Sequence, residues 1–408
     1  MLKFCPLLLF IYFVLASVAH AVPAVVITLA SVADRVRTQN PDLAAARLGI
    51  QEALGRMNQS GRLTNPELET SLEHNSRFRE GKFEIGLTQK FPLTDRLRLE
   101  KKISLTELKA SEAEVREMER QLAGRAREIV VKILASNGRR ALFSKQAAVT
   151  REFSEFLTET AAKGEGSAMD AGQARLEATS ITLELKQLNA AASTLLGELK
   201  PLIGMPLGSV LEIAGSLTPA IFPAGDSDHG RRPDLQVARL ESAAANHALN
   251  LEQARRIEDV EAGLFAAAER TEDAPEGLGN EAIVGVRFKM PLPFWNKNEG
   301  TIQEAEARKT RRDLEVTALA GRIRLEGESA RSEMAEWAQV IREIEMTLLP
   351  LADEQSALAE TTFRNGQGEI QSVLRSREKK LQLAVAQLDA LREFHLARVR
   401  YETSIAKP

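Results

Sequence analysis

The residues able to do acid–base, nucleophilic or metal chemistry are numerous in this chain, and nowhere are they spaced to do it. His74, His229, His247 and His395 stand far apart, and none shares a metal-ligand spacing with another donor. No nucleophile motif sets a serine, a histidine and an aspartate in order. The one cysteine, Cys5, falls in the first residues, so neither a disulfide framework nor a thiolate metal site is available to the rest. Carboxylates are plentiful, but on long helices they form solvated pairs with Lys and Arg one turn away. Gly164-Glu165-Gly166 and Gly366-Gln367-Gly368 have the look of a phosphate-cradling loop; yet no strand leads into either, and Met169 and Gln371 stand where a third glycine would. The reading is of a chain that is not an enzyme and has no cofactor or tightly held metal. A formal net charge of −3, with Lys and Arg balanced by Asp and Glu, also lacks the basic excess of a nucleic-acid partner.

Aromatics are scarce, while Ala, Leu, Glu, Arg and Gln abound, which is the composition of long helices. Residues 1–21 read as a secretory signal: Lys3 supplies the positive start, Leu7 to Val18 the apolar stretch, and Ala19-His20-Ala21 a cleavage site. No later stretch is long and apolar enough to cross a membrane as a helix, so any membrane entry must use β-structure.

The chain is written twice. Pro41-Asp42-Leu43 with Ala46-Arg47-Leu48 returns as Pro233-Asp234-Leu235 with Ala238-Arg239-Leu240. Gly86, ahead of Pro92-Leu93, returns as Gly285, ahead of Pro291-Leu292, and the Gly-x-Gly sites form a third pair in the same order. The expected units are residues 22–200 and 233–408, joined by a breaker-rich linker over 201–232.

Each unit reads as a short helix, two alternating segments and long helices. Strands are expected at about 66–75 and 82–92, then at about 258–270 and 281–292, because apolar and polar residues alternate there with period two. Phe83, Ile85 and Leu87, with Val284, Val286 and Phe288, form the apolar face, expected to meet lipid, whereas Glu84, Thr88 and Lys90 face water. Helices are expected over 94–200, as segments 94–137 and 139–200 on either side of Gly138, and over 297–405. Leu108, Val115, Leu122 and Ile129, like Leu374, Leu381 and Leu388, repeat every seventh residue and make coiled-coil seams.

Four strands cannot close a membrane barrel, but three chains would supply twelve. The fold class expected is mainly α with a small β part: duplicated strand–strand–helical hairpin units, with a trimeric twelve-stranded barrel continued by an α-helical coiled-coil tunnel. The Gly-x-Gly sites would reverse each hairpin at its far end. The rival readings are a soluble β-layer beneath a helical bundle, a periplasmic adaptor, or a coiled-coil scaffold of an export complex. An adaptor would show one hairpin between split β-domains, whereas here the hairpins come twice, each preceded by two strands.

With this layout the chain resembles the TolC-like outer-membrane efflux protein family over nearly all of residues 22–408. The stretches that carry the resemblance are NPDLAAARL and RPDLQVARL, NPELETSLE, FEIGLTQKFPL, KGEGSAMDAGQARL and RNGQGEIQSVL; VRFKMPLPFWNKNEGTIQEAEA looks like the heavy-metal CzcC branch. The resemblance implies a homotrimer in the outer membrane of a Gram-negative bacterium, in contact with its lipid. It also implies a periplasmic adaptor and an inner-membrane pump of the RND type, with export of solutes such as heavy-metal cations. On that pattern Gly164, Gly166, Asp170, Gly366, Gly368 and Glu369 would form the periplasmic tip and adaptor contact. Ser372 and Arg375 would stand at the tunnel entrance where the family often carries acids, and Arg375 would pair with Asp170 or Glu369.

Overall fold

A computed structural model describes residues 25–223, 229–273, 275 and 277–406. The signal-like segment 1–21 lies outside them, as do residues 224–228 of the expected linker.

The order of elements repeats. The first unit holds β1 (Val25–Ile27), α1 (Val32–Gln39), α2 (Pro41–Gln59), β2 (Glu67–His74), β3 (Gly81–Phe91), α3 (Arg96–Ala162) and α4 (Ala168–Leu202). A short strand, β4 (Leu211–Ile213), and a 3-10 turn (His229–Arg231) lead to α5 (Pro233–Ala254), β5 (Val260–Asp273), β6 (Gly277–Lys289), α6 (Glu299–Glu343), a π-helical turn (Ile344–Leu348), α7 (Leu349–Arg364) and α8 (Ile370–Ser404). The two halves match in length as well as order. α3 has 67 residues against 45, 5 and 16 for α6, the π turn and α7, while α4 and α8 have 35 each. At 1.5 Å per residue α3 is about 100 Å long, far beyond the size of a compact domain.

Two expectations need correcting. No helix end occurs at Gly138, because α3 runs straight through it. A Cβ at Gly138 would come 3.3 Å from Leu388 Cδ2, so this glycine serves close packing of α3 against α8. The segment 201–232 is also more than a linker. Its strand β4 pairs in parallel with β1, joining Val25 to Leu211 and Ile27 to Ile213. That two-stranded sheet caps a core in which Val32, Val36, Ile129, Val130, Ile133, Leu199 and Ile203 are buried, where α1, α3 and α4 meet midway along the molecule.

A second core joins α6 to α8 through Met334, Ile341, Phe394 and Tyr401. The seven-residue seams lie at the helix contacts; Ile129 is fully buried and Leu108, Val115, Leu122, Leu374, Leu381 and Leu388 are half-buried. Many of the buried positions of α3 are small: Ala110, Ala113, Ala123, Gly124 and Ala126. A Cβ at Gly124 would come 3.1 Å from Thr403 Oγ1, so the backbones of α3 and α8 run close there.

The four long strands form one antiparallel sheet in the order β2-β3-β5-β6, with β2 and β6 as its edges. At one end of this sheet the chain enters the long helices, and at the other the hairpins turn. Among the described residues no helix is long and apolar enough to cross a membrane.

Candidate functional site

Register turns the alternation along each strand into two faces of one sheet. Leu68, Leu87, Leu264 and Val286 stand opposite one another across the four strands, followed two residues on by Thr70, Ile85, Ala266 and Val284, then Leu72, Phe83, Ala268 and Ala282. Phe288 pairs with Ala262 on the same face. This surface is open: Val284 is 83% and Val286 74% exposed, and Phe83, Ile85, Leu87 and Phe288 are exposed too. A continuous apolar surface of this size, left uncovered on a single chain, needs a partner or lipid.

The other face is polar, exposed along the edge strands β2 and β6 and covered only in its middle. Here Glu84 and Thr88 are buried, and seven carboxylates (Glu67, Glu69, Glu73, Glu84, Glu261, Glu269 and Glu281) face four cations, Lys82, Lys90, Arg287 and Lys289. Arg287 holds the sheet across its width, donating to Glu69 at 3.1 Å and to Glu84, while Lys82 Nζ meets Glu84 at 2.9 Å. One aromatic interrupts this face. Phe265 lies in the row Glu69–Gly86–Phe265–Gly285, with the Arg287 guanidinium 5.3 Å from its ring centre. The duplicated glycines Gly86 and Gly285 therefore flank one residue, Gly285 against its ring and Gly86 against its Cβ. The recurrence of those glycines was the only signal for it in the sequence.

At the opposite end of the helices the two Gly-x-Gly sites form the same reversal. Gly164 (φ +79°) and Gly366 (φ +74°) take the left-handed conformation that ends a helix at low steric cost. The following amides close the motif, Glu165 donating to the Thr160 carbonyl at 3.1 Å and Gln367 to that of Thr362 at 3.0 Å. Gly166 and Gly368 then pass close to the preceding helix end, where a Cβ would come within 3.2 Å of Thr160 Cγ2 and 3.1 Å of the Phe363 nitrogen. Ser167 caps α4 by accepting from the Asp170 amide at 3.4 Å, and Glu369 occupies the equivalent position ahead of α8 without a side-chain cap.

Asp170 and Ser372 lie just beyond the reversals. Arg375 is exposed and donates to the Gln371 carbonyl of its own helix at 3.3 Å. Within this chain it pairs with neither Asp170 nor Glu369, because its side chain follows α8 back instead of crossing between hairpins. The residue that does cross was missed: Arg377. It donates to Glu360 at 2.8 Å and its guanidinium lies 4.6 Å from the centre of the Phe153 ring, over a small core of Leu157, Ala174 and Ile370. Nearby, burial raises the pKa of Glu177, and repulsion from Glu378 on the facing helix raises it further.

Midway along, the copies have diverged at one position. Asn40 precedes Pro41 and caps α2 by accepting from the Leu43 amide at 2.8 Å, while its Nδ2 donates to the Leu202 carbonyl at 2.9 Å. Arg232 precedes Pro233 in the second copy. It is 6% exposed and bonds Asp234 at 2.6 Å and Glu326 at 2.5 Å. Burial by itself would lower the pKa of Arg232, but its two carboxylate partners outweigh that and hold it above the ordinary arginine value. Burial would likewise raise that of Asp234, and Arg232 outweighs it, keeping Asp234 below the carboxylate range. His395 is also buried, its Nε2 2.9 Å from the Thr218 carbonyl; burial depresses its pKa. Among the described residues no group of three or more His, Cys, Asp or Glu could hold a metal ion.

A four-stranded sheet with one apolar face and free edges, set on four helical runs that reverse at matched glycines, is the geometry that decides the comparison. Residues 32–205 match the outer membrane efflux protein family. In fold, this chain is like an outer-membrane efflux channel. VceC from Vibrio cholerae shares 17% identity with a TM-score of 0.75, covering 92% of this chain and 95% of that one. The CusC channel gives a TM-score of 0.77 at 16% identity, covering 92% and 91%. The MtrE outer membrane channel of Neisseria gonorrhoeae gives 0.72 at 14%, covering 92% and 88%. A comparison with curated protein sequences found no match. The efflux-channel family consists of transport conduits and not enzymes, in agreement with the absence of any catalytic spacing in the sequence.

Proposed function

We propose that this chain is the outer-membrane channel subunit of a tripartite efflux system, working as a homotrimer. The observation that carries this reading is the sheet: two unpaired edges, β2 and β6, flank a surface that is apolar on one side and charged on the other. Unpaired edges are not tolerated in hydrocarbon, and three copies joined edge to edge close a twelve-stranded barrel without any. The apolar face with Phe83, Ile85, Leu87, Val284, Val286 and Phe288 then meets lipid, and the charged face lines a water-filled passage. The long hairpins continue the passage into the periplasm. Their tips, with Gly164, Gly166, Asp170, Gly366, Gly368 and Glu369, meet a periplasmic adaptor that links the channel to an inner-membrane pump of the RND type. Ser372 and Arg375 stand at the tunnel entrance. Residues 1–21 direct the chain out of the cytoplasm.

The cargo favoured is cationic, with heavy-metal ions first. The excess of carboxylates over basic groups on the charged face supports it, since a ring of fixed negative charge favours cations and need not bind them tightly. The test is reconstitution of the purified protein in planar bilayers under a salt gradient. The expected result is a conducting trimer whose reversal potential reports preference for cations. A stable water-soluble monomer that leaves bilayers untouched would overturn the channel. Unchanged tolerance of a deletion strain to zinc, cobalt, cadmium, copper and silver would overturn the metal cargo alone.

A further inference from the structure

A cavity of about 360 Å³ opens where α3, α4 and α8 run side by side, toward the tips from the β1–β4 core. Its size falls within the range of small-ligand sites. One wall is a stripe of α3: Lys132, Ser136 and Arg139, spaced by four and three residues so that they share a face. The rest is apolar, from Leu188 and Leu195 of α4 and Leu396 of α8, apart from the ion pair of Arg392 and Glu393 on α8.

The α3 wall carries no carboxylate; the acidic groups stand on α8, where Glu393 lines the cavity and Asp389 lies beside Arg139. Ser136 is 8% exposed, and its hydroxyl has no hydrogen-bond partner, not even the carbonyl one turn back that a helical serine commonly uses. The Arg139 Nε is buried and unpartnered as well. Lys132 is exposed at the rim and forms no ion pair among the described residues. Buried donors are almost always paired, so two without an acceptor in one cavity call for a group that accepts. Charge points the same way. Arg139 and Arg392 share Asp389, and Arg392 also holds Glu393 at 2.7 Å, so two carboxylates offset two of the three cations and leave one positive charge over.

We propose that this cavity binds an amphiphile with one carboxylate or phosphate group and a short apolar body. The anion would lie between Lys132, the Ser136 hydroxyl and the Arg139 Nε, and the body against Leu188, Leu195 and Leu396. A lipid-derived acid of the cell envelope and a small organic acid in transit share this chemistry. The inference concerns the helical wall and stands apart from the barrel and its cargo.

The test uses the purified full chain in amphipol, titrated calorimetrically with octanoate, octyltrimethylammonium and inorganic phosphate. Octanoate is expected to saturate one site per chain. Phosphate binds at least about tenfold more weakly for want of an apolar body, and the cation does not bind. Lys132→Ala and Ser136→Leu each weaken octanoate by about tenfold or more, the size of a lost charge-assisted bond. Leu195→Trp fills the apolar end without touching a charge and gives a similar loss, so the outcome does not rest on one variant's folding. Mass spectrometry separates the sources. A lipid acid carried by the purified wild type and missing from Leu195→Trp identifies the envelope lipid, and an empty wild type that takes up octanoate identifies a soluble acid. Octanoate binding that does not saturate, that survives all three substitutions, or that octyltrimethylammonium equals would overturn the proposal.

Discussion

Gly285 on β6 lies directly beneath the ring of Phe265 on β5, and a Cβ placed there would come 2.6 Å from the ring's Cε1 and Cζ atoms. Gly86, its counterpart in the first copy, sits on the other flank of the same residue, and a Cβ there would lie at an ordinary 3.5 Å from Phe265 Cβ. The copies should therefore respond unequally. Gly285→Ala is expected to destabilise the sheet by about 1–3 kcal/mol, the usual range for overpacking, and Gly86→Ala by much less. Denaturant unfolding in detergent micelles checks this, and Gly285→Ala combined with Phe265→Ala should recover part of the loss.

Arg232 ties the start of the second unit to α6. Its carboxylate partners differ in exposure, with the Asp234 side chain 20% and the Glu326 side chain 57% exposed. Arg232→Leu leaves Asp234 half-buried without its cation and is expected to cost about 2–4 kcal/mol, somewhat less than the usual loss for a fully buried pair. Glu326→Gln removes only the wetter partner and should cost less than about 1 kcal/mol. Thermal midpoints of the two variants, measured side by side, settle the order.

The tip offers a contrast between neighbours. Arg377→Ala removes the contact with Phe153 and the bond to Glu360, and is expected to loosen the packing of the two hairpins by about 1–2 kcal/mol. Arg375→Ala takes away an exposed side chain bound only to its own helix, and should leave that packing unchanged. Hydrogen exchange over residues 153–157 and 370–374 reads the difference. Faster exchange in Arg375→Ala than in Arg377→Ala would contradict the assignment.

Acid should weaken the lower part of the second core through His395. Burial holds its pKa below 6.5 in the folded protein, so below that value the unfolded chain binds the proton more readily. The stability gained from keeping the ring neutral is present above about pH 6.5 and is lost as the pH falls through it toward the folded value. His395→Gln keeps a donor for the Thr218 carbonyl and removes the titration. The variant's thermal midpoint is expected to change less between pH 8 and pH 5 than that of the wild type.

The duplication and the strands were legible because their signals are local: matched tripeptides, and side chains alternating at period two. Register added what alternation cannot supply, namely which rows face each other, and so the seat of Phe265 between Gly86 and Gly285. The β1–β4 pair was invisible for a physical reason. Val25–Ile27 and Leu211–Ile213 are three residues each, too short for a pattern, and they meet across most of the first unit. Gly138 was misread because a glycine that lets helices approach and one that ends a helix look alike in sequence; only Leu388 opposite it tells them apart. Arg377 was missed in favour of Arg375 because two residues along a helix turn a side chain to another side. Arg232 could have been found by laying Asn40-Pro41 on Arg232-Pro233, where the two copies put different chemistry at the same helix start.

Asn40 bonds at once to the first turn of α2 and to the Leu202 carbonyl at the end of α4. The C-terminus of one helix thus abuts the N-terminus of another running in the same direction, and their peptide dipoles add head to tail across the joint. The chain is covalently discontinuous there, yet one side-chain amide joins the end of α4 to the start of α2. A shaft assembled from butted segments can be long and stiff while each piece is made at a different time in synthesis, the α2 piece first and the α4 piece more than a hundred residues later.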